Sequence, residues 1–269
     1  MNRMMKIGMI ASGLLVVLAI FAPLLTTYDY KAQNISERLQ QPSLKHIFGT
    51  DEFGRDVFSR MVYGTRISIS VGIIAVLIAT FIGISIGAIS GFYGGLIDNI
   101  IMRIVDIVLT IPTLFLILML IVFLGPSLIN IMVVIGLTSW TDIARIIRAE
   151  VLSIKKIAYV DAAKVIGLKE STIIFKHIIP NALAPAFVYM TFGISGAILI
   201  ESGLSFLGLG VQPPVPSWGN ILTSGKDYIE TAWWLTAFPG LAIFVAVFSY
   251  NLLGEGLRDY FNPKLKREK

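Results

Sequence analysis

The chain is 269 residues long, 55% hydrophobic and only 14% charged, with a formal net charge of +5 and no cysteine. Soluble domains carry about 25% charged residues, so this composition cannot clothe a fully water-exposed surface, and the missing thiols exclude a disulfide framework and a thiolate metal site. The basic excess follows the placement of charge across a membrane and not nucleic-acid binding.

Apolar runs longer than about 18 residues read as membrane helices. Five runs lack Asp, Glu, Lys and Arg: Ile7–Tyr28, Ile67–Ile97, Ile107–Thr141, Ile178–Ile200 and Thr231–Gly254. The first follows Arg3 and Lys6 as a signal peptide would. It is too long for such a segment and lacks a small-residue cleavage pattern, so it reads as a retained helix. The third is too long for one pass, and Gly125-Pro126-Ser127 breaks it into a hairpin. Six spans are therefore predicted, near 7–27, 67–91, 104–124, 128–144, 181–203 and 233–254, giving an all-α integral membrane protein. Residues 1–66 form an N-terminal helix with its external loop, and 67–269 a five-helix core.

Within this order several residues stand out. The 49–66 loop mixes both charge signs with Phe53, Phe58 and Tyr63, and reads as structure near the membrane with some partner contact. Gly83, Gly87 and Gly91 have the four-residue spacing that lets helices approach closely. Gly83–Gly87 also fits G-x-S-x-G, and Gly193–Gly196 fits G-x-S-G. A nucleophilic Ser needs a base within hydrogen-bond reach, and the two histidines, His46 and His177, fall outside the spans on opposite sides. Protease chemistry is set aside on that ground. Intramembrane charges are functional suspects: Asp106 is expected to pair with Arg103, and Asp142 with Arg145. Glu201, with Ser205 one turn on, is a candidate for the pathway or an outer gate; the alternative for Glu201 is an anchor for the following loop. Gly208–Trp218 is too rich in Pro for helix and should fold over the outer mouth. Trp218, Trp233 and Trp234 suit the interfacial belt.

Six passes return the chain to its starting side. Placing the N-terminus in the cytoplasm puts 15 of the 22 Lys and Arg inside, seven of them between 145 and 180 and five in the tail. That bias fixes the predicted orientation, with both termini cytoplasmic in the cell membrane.

The segment 151–180 carries the functional argument. Ile157–Ile166 reads as a short amphipathic helix and Lys169–Ile178 as a second, with Gly167 relaxing the backbone between them. Pro180 suits the first turn of the next span. Ala162 and Ala163 let another surface come close, and Asp161, Lys164, Lys169, Glu170 and Lys176 keep the loop wet.

Asp161-Ala162-Ala163, three residues, Gly167, nine residues, then His177-Ile178-Ile179-Pro180 resembles the EAA loop of binding-protein-dependent ABC importer permeases. That pattern is Glu-Ala-Ala, three residues, Gly, nine residues, Ile, any residue, Leu-Pro; this chain departs from it at Asp161, His177 and Ile179. Two further stretches are similar to the second permease subunit of the dipeptide/oligopeptide/nickel branch. One is Gly49-Thr50-Asp51-Glu52-Phe53-Gly54-Arg55-Asp56 with Tyr63-Gly64-Thr65-Arg66. The other runs from Glu201-Ser202-Gly203-Leu204-Ser205-Phe206-Leu207-Gly208 to Pro216-Ser217-Trp218-Gly219.

The resemblance implies a type I ABC importer permease fold with a cytoplasmic coupling helix. It further implies a sister permease, two ATP-binding cassette ATPases and an external substrate-binding protein. Coupling to the ATPases would fall to Asp161, Ala162, Ala163, Gly167, His177 and Pro180. The chain has no G-x-x-x-x-G-K-[ST] phosphate cradle, so it is expected to be non-catalytic and to hold no cofactor or metal. Peptides are the expected cargo and nickel or a nickel chelate the alternative, because no His/Cys/Asp cluster stands ready for nickel. A secondary transporter is the more distant alternative; inverted repeats and midplane charges would mark it.

Overall fold

The computed structural model describes residues 2–261, without the side chains of Asp161 and Lys164. The basic tail residues Lys264, Lys266, Arg267 and Lys269 lie outside the described residues. Among the described residues every regular element is helical.

Helix α1 (Arg3–Leu25) starts at Asn2, whose side chain accepts the Met5 N–H at 2.8 Å. Helix α2 (Val57–Tyr93) is a 37-residue rod, about 55 Å long at 1.5 Å per residue, well beyond a hydrocarbon core of about 30 Å. It begins ten residues before the expected span because Asp56 caps it, accepting the Ser59 N–H at 2.8 Å. Phe58, Arg60, Tyr63 and Arg66, expected in a loop, are helical.

The expected third span, 104–124, is not one helix. Helix α3 (Gly95–Thr110) and helix α4 (Thr113–Leu124) meet at 84°. Pro112 has no N–H to continue the ladder, and it forces Ile111 into extended backbone. Arg103, expected in a connection, sits within α3; the connection is Gly94 alone, at φ +67°. The Gly125–Ser127 break forms as predicted, with Ser127 capping helix α5 (Leu128–Thr138) by accepting the Asn130 N–H at 3.1 Å. Helix α6 (Trp140–Ile154) continues α5 as one span of 27 residues. Helices α7 (Ala158–Val165) and α8 (Glu170–Thr172) follow. The chain then passes through a wide-turned stretch, Ile173–Ile178, into helix α9 (Ile179–Phe206), the whole running as one rod from Glu170. Helices α10 (Trp218–Gly225) and α11 (Trp234–Phe261) complete the chain. Five helical segments, plus the bent α3–α4 pair, are long and apolar enough to cross a membrane.

Helix α1 lies antiparallel on α11. Asn2 donates to Asp259 at 3.0 Å, and a Cβ added at Gly8 would come within 2.4 Å of the Leu253 backbone nitrogen. One end of the bundle therefore gathers the first and last described residues, and residues 26–56 cover the other. Helix α2 is the central rod, packed on α1, α5, α6 and α9. Its glycine stripe lies on α6: a Cβ at Gly83, Gly87 or Gly91 would fall 2.7 Å from Ile143, 2.5 Å from the Ala144 carbonyl or 2.8 Å from Val151. Lipid tails are as apolar as Leu, so such backbone-close packing is what holds membrane helices together.

Residues 26–56 form an ordered cap knitted by buried charge. Arg55 Nε lies 2.6 Å and Arg60 Nε 3.5 Å from Asp51 Oδ2, with all three residues buried. His46 sits between Asp56 Oδ1 at 2.8 Å and Glu37 Oε2 at 3.3 Å. Gly54, at φ +69°, admits Asn34 so closely that any Cβ would collide with its carbonyl. Trp234 Nε1 donates to the Thr50 carbonyl at 3.1 Å. Trp234 and Trp218 are fully buried, and of the three tryptophans expected at the interface only Trp233 is exposed.

Candidate functional site

The segment after α6 folds as a helical hairpin seated on the terminal end of the bundle. Lys155 pins its entry: the ammonium donates to the Phe92 carbonyl at the end of α2 and lies 5.5 Å from the Phe92 ring centroid. Val160 and Ala163 of α7 point inward and join Ile173, Ile178, Ala182, Val151, Ile154 and Phe92 in one core. Gly167 then reverses the chain at φ +79°. The Ile166 N–H bonds the Ala162 carbonyl at 3.1 Å and the Leu168 N–H bonds the Ala163 carbonyl at 3.1 Å, a closure that needs a left-handed residue at this position. Space is not what demands glycine here, since nothing lies within 4 Å of an added Cβ.

The second arm is wide-turned for a local reason. Pro180 offers no N–H to the carbonyl four residues back, and its ring crowds that turn. The backbone widens upstream, with the Ile179 N–H reaching the Ile174 carbonyl. The His177 carbonyl accepts from Asn181 Nδ2 at 2.7 Å and from the Tyr159 hydroxyl at 3.2 Å, tying α7 to the base of α9. Pro180 thus stands one residue into α9 within a continuous rod, rather than opening a separate helix.

The sequence-predicted residues separate into two sides. Ala163 is buried in the hairpin core, whereas Ala162, Gly167 and Pro180 are exposed and His177 is half-buried. The Asp161 side chain lies outside the described residues. The outward face is apolar: Val165 is 86% exposed, Ile166 74% and Phe175 69%. These three were not singled out from the sequence. The signal available for them was the amphipathic spacing of the two arms.

At the opposite end Glu201 is fully buried. Ser205 Oγ donates to its Oε1 at 2.8 Å and Ser68 Oγ to its Oε2 at 3.4 Å. Ser68 Oγ in turn accepts the Trp218 N–H at 3.3 Å, and Ser205 Oγ accepts the Val211 N–H at 3.3 Å. One carboxylate therefore holds α2, α9 and the Leu207–Ser217 segment together. That segment is free of regular helix, as expected.

The charged pairs differ from those expected. Asp106 is bonded to Arg145 at 2.5 Å rather than to Arg103, because α3 lies against α6 and carries Asp106 across to it. Asp98, which sequence reasoning passed over, takes both Nε and Nη2 of Arg148 at 2.5 Å and the Ser90 hydroxyl. Asp142 is left without a hydrogen-bond or ion-pair partner among the described residues. Among the described residues no group of three or more His, Asp or Glu could hold a metal ion.

Comparison with known proteins agrees with this geometry. The family model described as "Binding-protein-dependent transport system inner membrane component" matches residues 83–267. The model of the "N-terminal TM domain of oligopeptide transport permease C" matches residues 1–42. The dipeptide transport system permease protein DppC of Alkalihalophilus pseudofirmus is 44% identical over 265 residues, 98% of this chain and 87% of the relative. The oligopeptide transport system permease protein OppC of Bacillus subtilis is 41% identical over 266 residues, 99% and 87% of the two. Among solved structures, an inward-facing MetNI methionine ABC transporter superposes with a TM-score of 0.60 at 18% identity, over 77% of this chain and 98% of that one, a likeness of fold.

Proposed function

The chain belongs to the family of binding-protein-dependent transport system inner membrane components, and from that premise we propose that it forms half of the translocation pathway of an ATP-driven importer of di- and oligopeptides. Its relatives are named as dipeptide and oligopeptide permeases, and this carries the choice of cargo. A sister permease would complete the pathway, two cytoplasmic ATPases would drive it, and an external binding protein would deliver the peptide. Both termini and the 155–178 hairpin would face the cytoplasm, in keeping with the lysines and arginines concentrated there.

The single observation supporting ATPase coupling is the two-sided hairpin. One face is locked to α2 and α9 through Phe92, Ile178 and the His177 carbonyl. The other presents Val165, Ile166 and Phe175 to water, and exposed apolar surface of this kind marks a protein interface. A push on the outer face reaches two membrane-spanning rods directly, as rigid-body alternating access requires.

The exposed Ala162 provides the test. Ala162→Trp leaves the hairpin core untouched, so the chain should still insert and fold. It should lose copurifying ATPase and ATP-dependent peptide uptake in vesicles carrying the complete transporter. Normal uptake by Ala162→Trp combined with Ile166→Asp would refute coupling through this face.

A further inference from the structure

Asp142 is the fifteenth residue of the 27-residue span Leu128–Ile154, about 20 Å from either end at 1.5 Å per residue. Arg145, Arg148 and Glu150 follow it on the same helix, so it lies within the span toward its charged end. Its side chain is exposed while its neighbours Thr141 and Ile143 are buried. Arg145, the cation one turn away, is engaged by Asp106. A carboxylate turned to lipid at this depth is costly, so this face opens onto water in the pathway.

The carboxylate lines a cleft of about 250 Å³ between α2, the α5–α6 junction and α9. Ala75, Ala79, Gly193 and Gly196 keep the walls low, and a Cβ at Gly196 would meet nothing within 4 Å. Ser139 and Tyr189 place hydroxyls in the same lining, which contains no Lys, Arg or His. A ligand-sized apolar cleft with one charge and two hydroxyls has the composition of a binding site. Its charge lacks a resident counter-ion, so the fitting ligand brings a positive charge of its own.

We propose that Asp142 is a cation-recognising subsite in the pathway, which takes the terminal ammonium of a passing peptide while Ser139 and Tyr189 meet its backbone amides. The ammonium as the cation's source rests on the peptide-importer reading. The subsite itself rests on the cleft.

The complete transporter in vesicles tests it. Asp142→Asn should lower ATP-driven dialanine uptake about tenfold, the scale of one lost charge-assisted hydrogen bond, and Asp142→Glu should keep most of it. ATPase copurification verifies that each variant assembles. A cysteine at Ser139, in this chain that has none and beside a cysteine-free sister, keeps the carboxylate and reports on the cleft. Its reaction with 2-aminoethyl methanethiosulfonate should slow with dialanine and not with N-acetyl-dialanine, and this difference should vanish when Asp142→Asn is added. Unchanged uptake by Asp142→Asn, or equal protection by both peptides, would overturn the proposal. Protection by Ni²⁺ and not by dialanine would replace the ammonium with a metal cation and overturn it too. Absence of uptake by the unaltered transporter would instead strike the importer reading, while protection at Ser139→Cys would still judge the cleft.

Discussion

The two ends of the bundle treat their polar segments in opposite ways. Residues 26–56 turn charges inward: Asp51 and Arg55 are buried and bonded to each other, with Arg60 of α2 beside them, and buried His46 is bonded to buried Asp56. The 155–178 hairpin turns apolar side chains outward and leaves Lys156, Lys169, Glu170 and Lys176 exposed. Buried paired charge specifies one arrangement and tolerates little change, because each ion depends on its neighbour. Exposed apolar surface waits for a partner. The contrast separates an end built to stay as it is from the one that the proposed coupling would have a partner grip.

The sharpest way to break this contrast is to remove one buried ion. Asp51→Ala takes from buried Arg55 and Arg60 the carboxylate they share and should cost about 3–5 kcal/mol, read as a large fall in thermal unfolding temperature in detergent. An equal melting temperature would show that the cap is not held by charge. Overpacking comes next: Gly87→Leu drives a side chain into the Ala144 carbonyl and should cost about 1–3 kcal/mol, read as lower yield of folded monomer. Phe175→Ser sharpens the comparison from the other side. It should change the isolated chain's stability by less than about 0.5 kcal/mol yet weaken ATPase copurification; a loss of folding equal to that of Asp51→Ala would erase the distinction.

The smallest expected effect is a pH dependence at the rim of the cap. The Lys45 ammonium bonded to Glu37 holds that carboxyl below its ordinary value, with His46 adding to the effect. A depressed carboxyl contributes stability above its unfolded-state pKa and loses it as pH falls through the lower folded value. Proteolysis at Lys45 should therefore speed up on acidification below the usual carboxylate range, and Glu37→Gln should abolish the dependence. Screening at this exposed site keeps the contribution small.

Much of the fold was legible because it is written locally. Apolar run length gave five of the six expected passes as single rods and the other as the bent α3–α4 pair, the Gly83–Gly91 spacing gave the close face of α2, and Gly125-Pro126-Ser127 gave a turn. Gly167 and Pro180 marked the hairpin because each acts on its own backbone, by φ or by a missing N–H. The unreadable parts depend on which helix lies beside which. Asp106 chose Arg145, 39 residues away, over Arg103 on its own helix. Trp218 and Trp234 look interfacial by composition but are buried, Trp234 against Gly49 and Thr50 of the cap and Trp218 against Gly64 and Ser68 of α2. Pro112 carried a readable signal, yet an apolar run on both sides hid the bend it makes.

Helix α2 runs from one end to the other, from the Asp56 cap to the Phe92 carbonyl that holds Lys155. A straight rod about 55 Å long behaves as a see-saw: tilting it by about 10° about its middle carries its tips roughly 5 Å in opposite directions. Under the proposed coupling, a push on the hairpin would swing the far cap as well, with no relay of side chains needed between them.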